Sequence, residues 1–400
     1  MRFIFAVLLL TPGVFAEDAR LTQLRELLVP MRAEKQRPRP EFTHVKHLLR
    51  DWVEARIAAA RTRDEVVREK DLNDALARAK LSCAVAPRDE DDPFLNWTGC
   101  LGDVEVEYQQ GFLVVRTGVG IECGFDESAY AYRQSDGRWQ RFWQSEQNDY
   151  RKDVYRPQTL VAVLISRGRP DPVFRNEHVD KSEHLILTLG CESWCMSNWH
   201  DVYYRVWQTA DRYSEPKLLL TGSEWAWVED EPPIAGTVDP DGALVEYIVN
   251  NNLSPGWHRP ETRCYKVRDG RMVRVDPIAM GPRSFVAEWL NRPWKEAVAW
   301  TEPGHRAVLE QHRKGGEPVR HSMHCQQQDL WQVHLERGMG LKDPEEDYFL
   351  VRWRPPYHFT MVNVSDQPWP GCTQEDPEAD EWRTMFQEPG WQWQKDQPTD

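Results

Sequence analysis

Tryptophans in the middle of the chain could form a surface that binds a ligand. Trp194 and Trp199 lie in a predicted loop directly before His200, and Trp225 and Trp227 lie in a later strand-like segment. Indole rings stack on the faces of sugars and anchor protein interfaces, so these residues and His200 are candidate ligand contacts. The alternative is that the large rings fill the core of a β domain.

Carboxylates follow the first long strand predicted for the β region. Glu122, Asp126 and Glu127 flank Cys123 at the end of this strand. Two carboxylates at a defined separation are the acid/base machinery of glycosidases, so Glu122 and Asp126 are candidate site residues. Sequence alone does not supply that separation, and chance clustering among 64 acidic residues is the alternative.

A histidine-rich segment is a weak candidate metal site. His321 and His324 precede Cys325, and imidazole and thiolate groups are ligands that soft metal ions prefer. The segment lacks the HExxH pattern of zinc proteases, and the glycines before it favour a polar loop whose Cys325 forms a disulfide. No nucleotide-binding or zinc-finger motif occurs, and the sequence predicts no cofactor.

Residues 1–16 have the pattern of a secretory signal peptide. Arg2 precedes an apolar run over residues 3–10, and small residues at Val14 and Ala16 suit cleavage after Ala16. An N-terminal anchor helix is the alternative, but the apolar run is too short to span a bilayer comfortably. The segment therefore predicts a secreted or periplasmic protein with no integral membrane span after cleavage.

All eight cysteines lie beyond this segment, and an even number in an exported chain predicts disulfides. Two pairs are close enough in sequence to be predicted, Cys83–Cys100 and Cys191–Cys195. The second pair, with His200 nearby, could instead form a copper or redox site. A local structural disulfide is the alternative that an oxidising compartment favours.

Composition excludes several classes of protein. The 400 residues carry 50 Lys and Arg against 64 Asp and Glu, a net charge of −14. This balance argues against nucleic-acid binding, which needs a basic surface. A mean hydropathy of −0.69 excludes a polytopic membrane protein, and 40% hydrophobic residues are enough for a folded core.

Periodicity predicts a helical segment over residues 17–80. Phe42, Val45 and Leu49 recur at the spacing of one helix face, and the first helix of the segment is predicted to end at Pro30. Of the 19 tryptophans, Trp52 alone precedes residue 96. This change in composition, together with a change from basic to acidic character, places a domain boundary near residue 81.

Residues 81–373 alternate polar and apolar side chains with the period of β-strands. Two short helices are predicted as an insertion over residues 284–313, and residues 374–400 form an acidic tail. The dipeptides Asp136-Gly137 and Asp269-Gly270 separate paired strands and have the chemistry of tight hairpin turns.

A degenerate repeat of about four irregular units predicts a mainly β fold. The repeats are predicted to form a β-propeller-like domain, preceded in sequence by a small α-helical segment. The early strand Val104–Tyr108 has no hairpin partner of its own, so it is predicted to close the ring on the last unit. A segment at Leu160–Ile165 is predicted as the fourth strand of the first unit. A β-sandwich is the alternative fold. The units begin at Leu113, Leu185, Ala243 and Leu330.

The segments Tyr130–Tyr150, Leu187–Trp207 and Phe349–Cys372 resemble an uncharacterised group of exported bacterial proteins with β segments rich in Trp and Tyr. The resemblance covers most of the β region and rests on the overall Trp- and Tyr-rich character of its segments. It implies export and an all-β repeat. No activity and no functional residue follow from it.

These observations predict an exported binding or interaction protein with an aromatic, acidic surface that faces its ligand. The partner would be a small molecule, a glycan or a protein, and not a nucleic acid. The alternative is an extracytoplasmic hydrolase that acts on glycans through paired carboxylates. A carboxylate pair facing a tryptophan-lined cleft would favour the hydrolase.

Overall fold

The computed structural model describes most of the chain from residue 18 to residue 375. The predicted signal peptide and the tail beyond residue 375 lie outside the described residues. None of the described helices is long and apolar enough to cross a membrane. The chain divides into two compact units, the first ending at Thr159 and the second beginning at Leu160. The described ranges are 18–33, 40–59, 68–85, 99–121, 124–150, 158–167, 183–192, 198–209, 215–227, 234–250, 258–274, 279, 281–313, 319–327, 329–337, 345–354 and 358–375.

Three helices begin the first unit: α1 (Ala19–Ala33), α2 (Glu41–Ala59) and α3 (Glu69–Arg78). The apolar stripe of α2 is buried as its spacing predicts, and Trp52 is completely enclosed. The predicted end of α1 at Pro30 is wrong, because the helix continues to Ala33. Met31 is buried and the Arg32 guanidinium donates to the Gly99 carbonyl at 3.1 Å, so tertiary contacts stabilise the turn beyond the proline.

The first sheet is antiparallel, with its strands in chain order: β1 (Glu105–Gln109), β2 (Phe112–Ile121), β3 (Gly124–Ser135) and β4 (Arg138–Ser145). The predicted ring closure by Val104–Tyr108 is wrong, because β1 pairs with β2 as a hairpin. Gln110 and Gly111, both at positive φ, form its turn. This turn lacks the Asn-Gly or Asp-Gly signature by which such hairpins are recognised in sequence.

Helices and sheet of the first unit share one hydrophobic core. Leu49 and Trp52 of α2 belong to the same buried cluster as Leu113 and Tyr130 of the sheet. The predicted boundary near residue 81 therefore lies inside this unit. The predicted Cys83–Cys100 disulfide is confirmed, and it closes a loop between α3 and the first sheet.

The second unit begins with an eight-stranded sheet made of two four-strand groups. β8 pairs with β10 at one described position, Trp227 opposite Ile248, and this joins the groups. The segment predicted as the fourth strand of the first sequence repeat is β5. It instead pairs with β6, which belongs to the second compact unit. The first group is β5 (Gln158–Ile165), β6 (His184–Glu192), β7 (Trp199–Thr209) and β8 (Lys217–Trp227). The second is β9 (Ile234–Asp239), β10 (Gly242–Asn250), β11 (His258–Arg268) and β12 (Arg271–Arg274).

Helices and a five-stranded sheet complete the second unit. The two helices predicted for the insertion correspond to α4 (Pro282–Asn291) and α5 (Trp294–Ala297). A third helix, α6 (Arg306–Gln311), was not predicted, and short 3-10 turns lie between α5 and α6. Phe285 and Trp289 of α4 pack on the sheet in one buried cluster. The strands are β13 (Val319–Cys325), β14 (Leu330–Arg337), β15 (Glu345–Arg354), β16 (His358–Ser365) and β17 (Cys372–Glu375), in the order β16-β15-β14-β13-β17.

The coarse fold prediction is confirmed, since the described chain is mainly β behind a small helical segment. Each of the four predicted units contains three consecutive antiparallel strands, and both Asp-Gly dipeptides form hairpin turns at positive φ. The propeller-like ring stays a prediction. The acidic tail was predicted from residue 374, but Gln374 and Glu375 belong to β17.

Candidate functional site

The outward side of β7 and β8 carries a row of aromatic side chains. Register pairs Trp199 with Trp227, Asp201 with Trp225, and Tyr203 with Ser223, so these residues share one face of the sheet. The alternate residues Val202, Tyr204 and Val206 are buried in the core on the opposite face. We call the outward row the aromatic face and define it by Trp199, Tyr203, Trp225 and Trp227.

Three indole rings meet at one end of the aromatic face. The Trp199 and Trp225 rings are nearly parallel, at an angle of 12° and a centroid distance of 6.5 Å. The Trp227 ring approaches Trp199 edge-on at 5.2 Å and 70°. Trp225 is nevertheless 57% exposed, so the cluster presents a large indole surface to solvent.

Tyr203 continues this surface toward β6. Gly190 lies opposite it in the register, and a Cβ on Gly190 would come within 2.5 Å of the tyrosine ring. The missing side chain therefore lets the ring lie across the neighbouring strand. The Arg205 guanidinium carbon is 5.7 Å from the centre of the Tyr203 ring, in a cation–π contact.

Polar side chains alternate with the rings on the same face. Asp201 lies between Trp199 and Tyr203 on β7, and Arg205 follows Tyr203. On β8, Ser223 lies opposite Tyr203 and Thr221 lies opposite Arg205. Glu192 reaches this face from β6 by strand alternation. The face therefore combines stacking groups with hydrogen-bonding groups and has a slightly acidic balance.

His200 and Trp194 were predicted to accompany Trp199. His200 lies opposite Ala226 in the register, and its Nδ1 is 3.0 Å from the carbonyl oxygen of Glu192. Strand alternation places it on the face opposite Trp199. Trp194 lies outside the described residues, as does Cys195 of the predicted Cys191–Cys195 pair.

Hydrogen bonds on the inward side stabilise the strands that carry the aromatic face. The hydroxyls of Tyr204 and Tyr265 share a hydrogen bond of 2.7 Å, and burial raises the pKa of Tyr204. Arg263 donates to the Tyr247 hydroxyl at 2.9 Å and to the Glu224 carboxylate at 3.0 Å. Burial alone would lower the pKa of Arg263, but Tyr247 and the adjacent carboxylates raise it. The sheet beneath the rings is therefore held by satisfied polar groups as well as apolar packing.

Of the carboxylates predicted for acid/base chemistry, Asp126 lies in the core and not at the surface. Glu122 lies outside the described residues. Asp126 is fully buried on β3, where its carboxylate is 2.8 Å from the Lys46 ammonium. Tyr150 donates a hydrogen bond to the same carboxylate, and burial followed by Asp126 raises the pKa of this tyrosine. The described geometry gives Asp126 a structural role in the first unit.

A second group of carboxylates was missed by sequence reasoning. Glu261 and Glu288 are both buried, and the Arg292 guanidinium pairs with each of them. Arg274 pairs with Glu288 as well, and burial is the main cause of the lowered pKa of Arg274. Glu261 lies on β11, Arg274 on β12 and Glu288 on α4, and Arg292 directly follows α4. Glu288 and Arg292 are four residues apart, at the spacing of a helical ion pair, but Glu261 and Arg274 join them only through the fold.

The histidine-rich segment forms strand β13, so the predicted polar loop is wrong. Its last residue, Cys325, forms a disulfide with Cys372. The disulfide predicted for Cys325 is therefore confirmed. The His324 ring packs against Trp331 at 4.7 Å, while the side chain of His321 lies outside the described residues. Within the described part of the chain, no three His, Cys, Asp or Glu side chains are grouped so that they could hold a metal ion.

No family model matches the chain, and comparison with curated proteins also gives no match. Fold and site together define a mainly β chain, stabilised by disulfides, with an aromatic face on one sheet. Its function therefore has to be inferred from the residues themselves.

Proposed function

We propose that the chain is an exported binding protein that holds its ligand on the aromatic face. The observation that carries this proposal is Trp225, whose indole is 57% exposed although it is nearly parallel to the neighbouring Trp199 ring. Exposed apolar surface of this kind is costly in water, and clusters of it mark interaction sites. Ligand binding would remove this surface from solvent.

Two features support export. Cys83–Cys100 and Cys325–Cys372 are disulfides, and such bonds persist in oxidising compartments outside the cytosol. Residues 1–16 have the sequence pattern of a signal peptide. A periplasmic or secreted location agrees with both features.

Binding is favoured over glycan hydrolysis by the position of the carboxylates. The hydrolase hypothesis drew on Glu122, Asp126 and Glu127, and of these Asp126 is buried in an ion pair with Lys46. A buried carboxylate that is already paired with an ammonium has no access to a substrate at the surface. The ligand is therefore held by stacking groups, and no catalytic residue is assigned.

A panel of ligands tests the binding proposal through the fluorescence of the indole rings. Soluble glycans, synthetic peptides and small aromatic molecules are titrated into the full chain and into Trp225→Ala. We expect one class to change the emission of the wild-type protein and to bind Trp225→Ala at least tenfold more weakly, a loss of about 1.4 kcal/mol. Leu218→Ala is the matched control, because Leu218 is also an exposed apolar residue of β8, at 44%.

Two results would overturn the proposal. One is that no class in the panel binds. The other is that Trp225→Ala and Leu218→Ala bind with the same affinity as the wild-type protein, since the ligand would then lie elsewhere. Trp225 is largely exposed, so its truncation is expected to leave folding intact, and circular dichroism checks this.

A further inference from the structure

We infer that the ligand of the aromatic face is a polysaccharide chain without negative charge, laid across β7 and β8. This inference rests on the proposed function and specifies the ligand class. It follows from the spacing of the rings, the polar groups between them, the openness of the face and its charge.

Ring spacing favours a ligand that repeats. Trp199 and Tyr203 are four residues apart on β7, which separates them by about 13 Å along the strand. The Trp225 and Trp227 rings both contact Trp199, so the three indoles form one stacking position. Tyr203 forms a second stacking position on the same face, and a ligand that uses both needs more than one flat apolar face in succession. A chain of sugar rings offers such faces at every unit.

The polar groups between the rings match the edges of sugars. A pyranose has C–H groups on its faces and hydroxyls around its rim, so it needs stacking surfaces and hydrogen-bonding groups side by side. Asp201 offers carboxylate acceptors beside Trp225, and the Ser223 and Thr221 hydroxyls can both donate and accept. A purely apolar partner would leave these groups without compensation for lost water.

Openness of the face argues for an extended ligand. Sites for small molecules are concave and enclose most of their ligand. Trp225, Ser223 and Thr221 are all exposed on β8, so the face is open along this strand and leaves one side of a ligand in solvent. A polymer compensates for shallow burial by making contacts along its length.

The charge of the face disfavours anionic polymers. The polar positions of the face include the carboxylates of Glu192 and Asp201 and the guanidinium of Arg205, which stacks on Tyr203. The chain as a whole carries a net charge of −14, and this field repels polyanions most strongly at low ionic strength. Uronate polymers and nucleic acids are therefore disfavoured, whereas neutral glycans pay no electrostatic cost.

Affinity electrophoresis of the full chain tests this inference. Native gels contain one of three neutral polysaccharides (hydroxyethylcellulose, xylan or galactomannan) or the anionic polymer polygalacturonate. We expect at least one neutral polymer to retard the wild-type protein, with at least tenfold weaker binding by Trp225→Ala and by Trp199→Ala. Stacking of this kind contributes on the order of 1–3 kcal/mol per ring, by analogy with nucleic-acid bases on aromatic side chains.

Leu218→Ala is again the control and is expected to bind as the wild-type protein does. The inference is overturned if none of the three neutral polymers retards the protein, if polygalacturonate binds as well as they do, or if Trp225→Ala is retarded equally. If peptides or small aromatic molecules instead bind in a manner that depends on Trp225, the binding function stands and the polysaccharide inference alone is lost.

Discussion

The Lys46 ammonium lies 2.8 Å from the Asp126 carboxylate, and neither side chain is more than 1% exposed. The ammonium also donates to the Gln147 carbonyl at 2.7 Å and lies over the Tyr150 ring. Burial lowers the pKa of Lys46, while the charge of Asp126 and its hydrogen bond act in the opposite direction. The pair fixes α2 against the sheet, and neither charge has access to water.

Removing one member of this pair should destabilise the protein strongly. Lys46→Met leaves the Asp126 carboxylate buried without its cation, which costs about 3–5 kcal/mol in comparable pairs. Urea unfolding measures the loss, and Lys46→Met combined with Asp126→Leu should recover most of it. Lys70→Met is the control, because Lys70 pairs with Asp74 in solvent and should change the midpoint little. Equal midpoint shifts for Lys46→Met and Lys70→Met would contradict the structural role.

Lowering the pH should destabilise the first unit, because the Glu146 carboxylate becomes protonated. Burial alone would raise the pKa of this carboxyl, but hydrogen bonds from Tyr130 and Asn148 and the nearby charge of Arg50 lower it below the ordinary value of 4.5. The ionised carboxylate therefore stabilises the folded state above pH 4.5. This contribution is lost as the pH falls through the lowered folded pKa.

Glu146→Gln should consequently be less stable than the wild-type protein at pH 7. The difference between the two should shrink as the pH falls below 4.5. Urea unfolding at a series of pH values measures it. Asp51→Asn serves as a control, because Asp51 is exposed beside Arg50. A difference between Glu146→Gln and the wild-type protein that stays constant down to pH 3 would contradict this assignment of the pKa shift.

The two described disulfides should stabilise the chain by different amounts. Cys83–Cys100 joins residues 17 apart and Cys325–Cys372 joins residues 47 apart. If the main effect is on the unfolded chain, removing the first costs about 3 kcal/mol and removing the second about 4 kcal/mol. Paired Cys→Ala variants and unfolding in urea measure both losses. A larger loss from the shorter loop would show that native contacts around Cys83 dominate.

Gly222 should tolerate no side chain. It lies opposite Tyr204, and an added Cβ would meet the ring of that buried tyrosine at 2.1 Å. Gly222→Ala should therefore displace the ring, break the hydroxyl hydrogen bond to Tyr265 and cost about 1–3 kcal/mol. Gly304→Ala is the matched control, since a Cβ there meets no atom within 4 Å. Thermal unfolding compares the two, and similar midpoints would contradict the packing described for Tyr204.

Local features of the fold could be predicted from sequence. The turns at Asp136-Gly137 and Asp269-Gly270 were predictable because their dipeptides are among the few that accept positive φ at both positions. Helix α2 was predictable because its apolar residues recur at helical spacing over five turns. The Cys83–Cys100 pair was predictable because the two residues are close in sequence.

Features that depend on distant contacts could not be predicted in this way. Pro30 normally ends a helix, and only contacts such as that of Arg32 with Gly99 show why α1 continues. Asp126 has the sequence context of a surface carboxylate, and its burial depends on Lys46, eighty residues earlier. The aromatic face was predictable in part, because Trp199, Trp225 and Trp227 were candidates. The contribution of Tyr203 depends on Gly190 in another strand.

Trp227 opposite Ile248 is the one described position at which the two four-strand groups of the second unit pair through their backbones. The groups are otherwise joined by side chains, because Tyr204 and Tyr265 share one buried cluster and Arg263 donates to Glu224. A force that separates the groups must therefore expose this shared core as well as break the pairing between β8 and β10. Trp227 also belongs to the aromatic face, so a tethered ligand under tension would load this junction directly, and the resistance should come mainly from apolar packing.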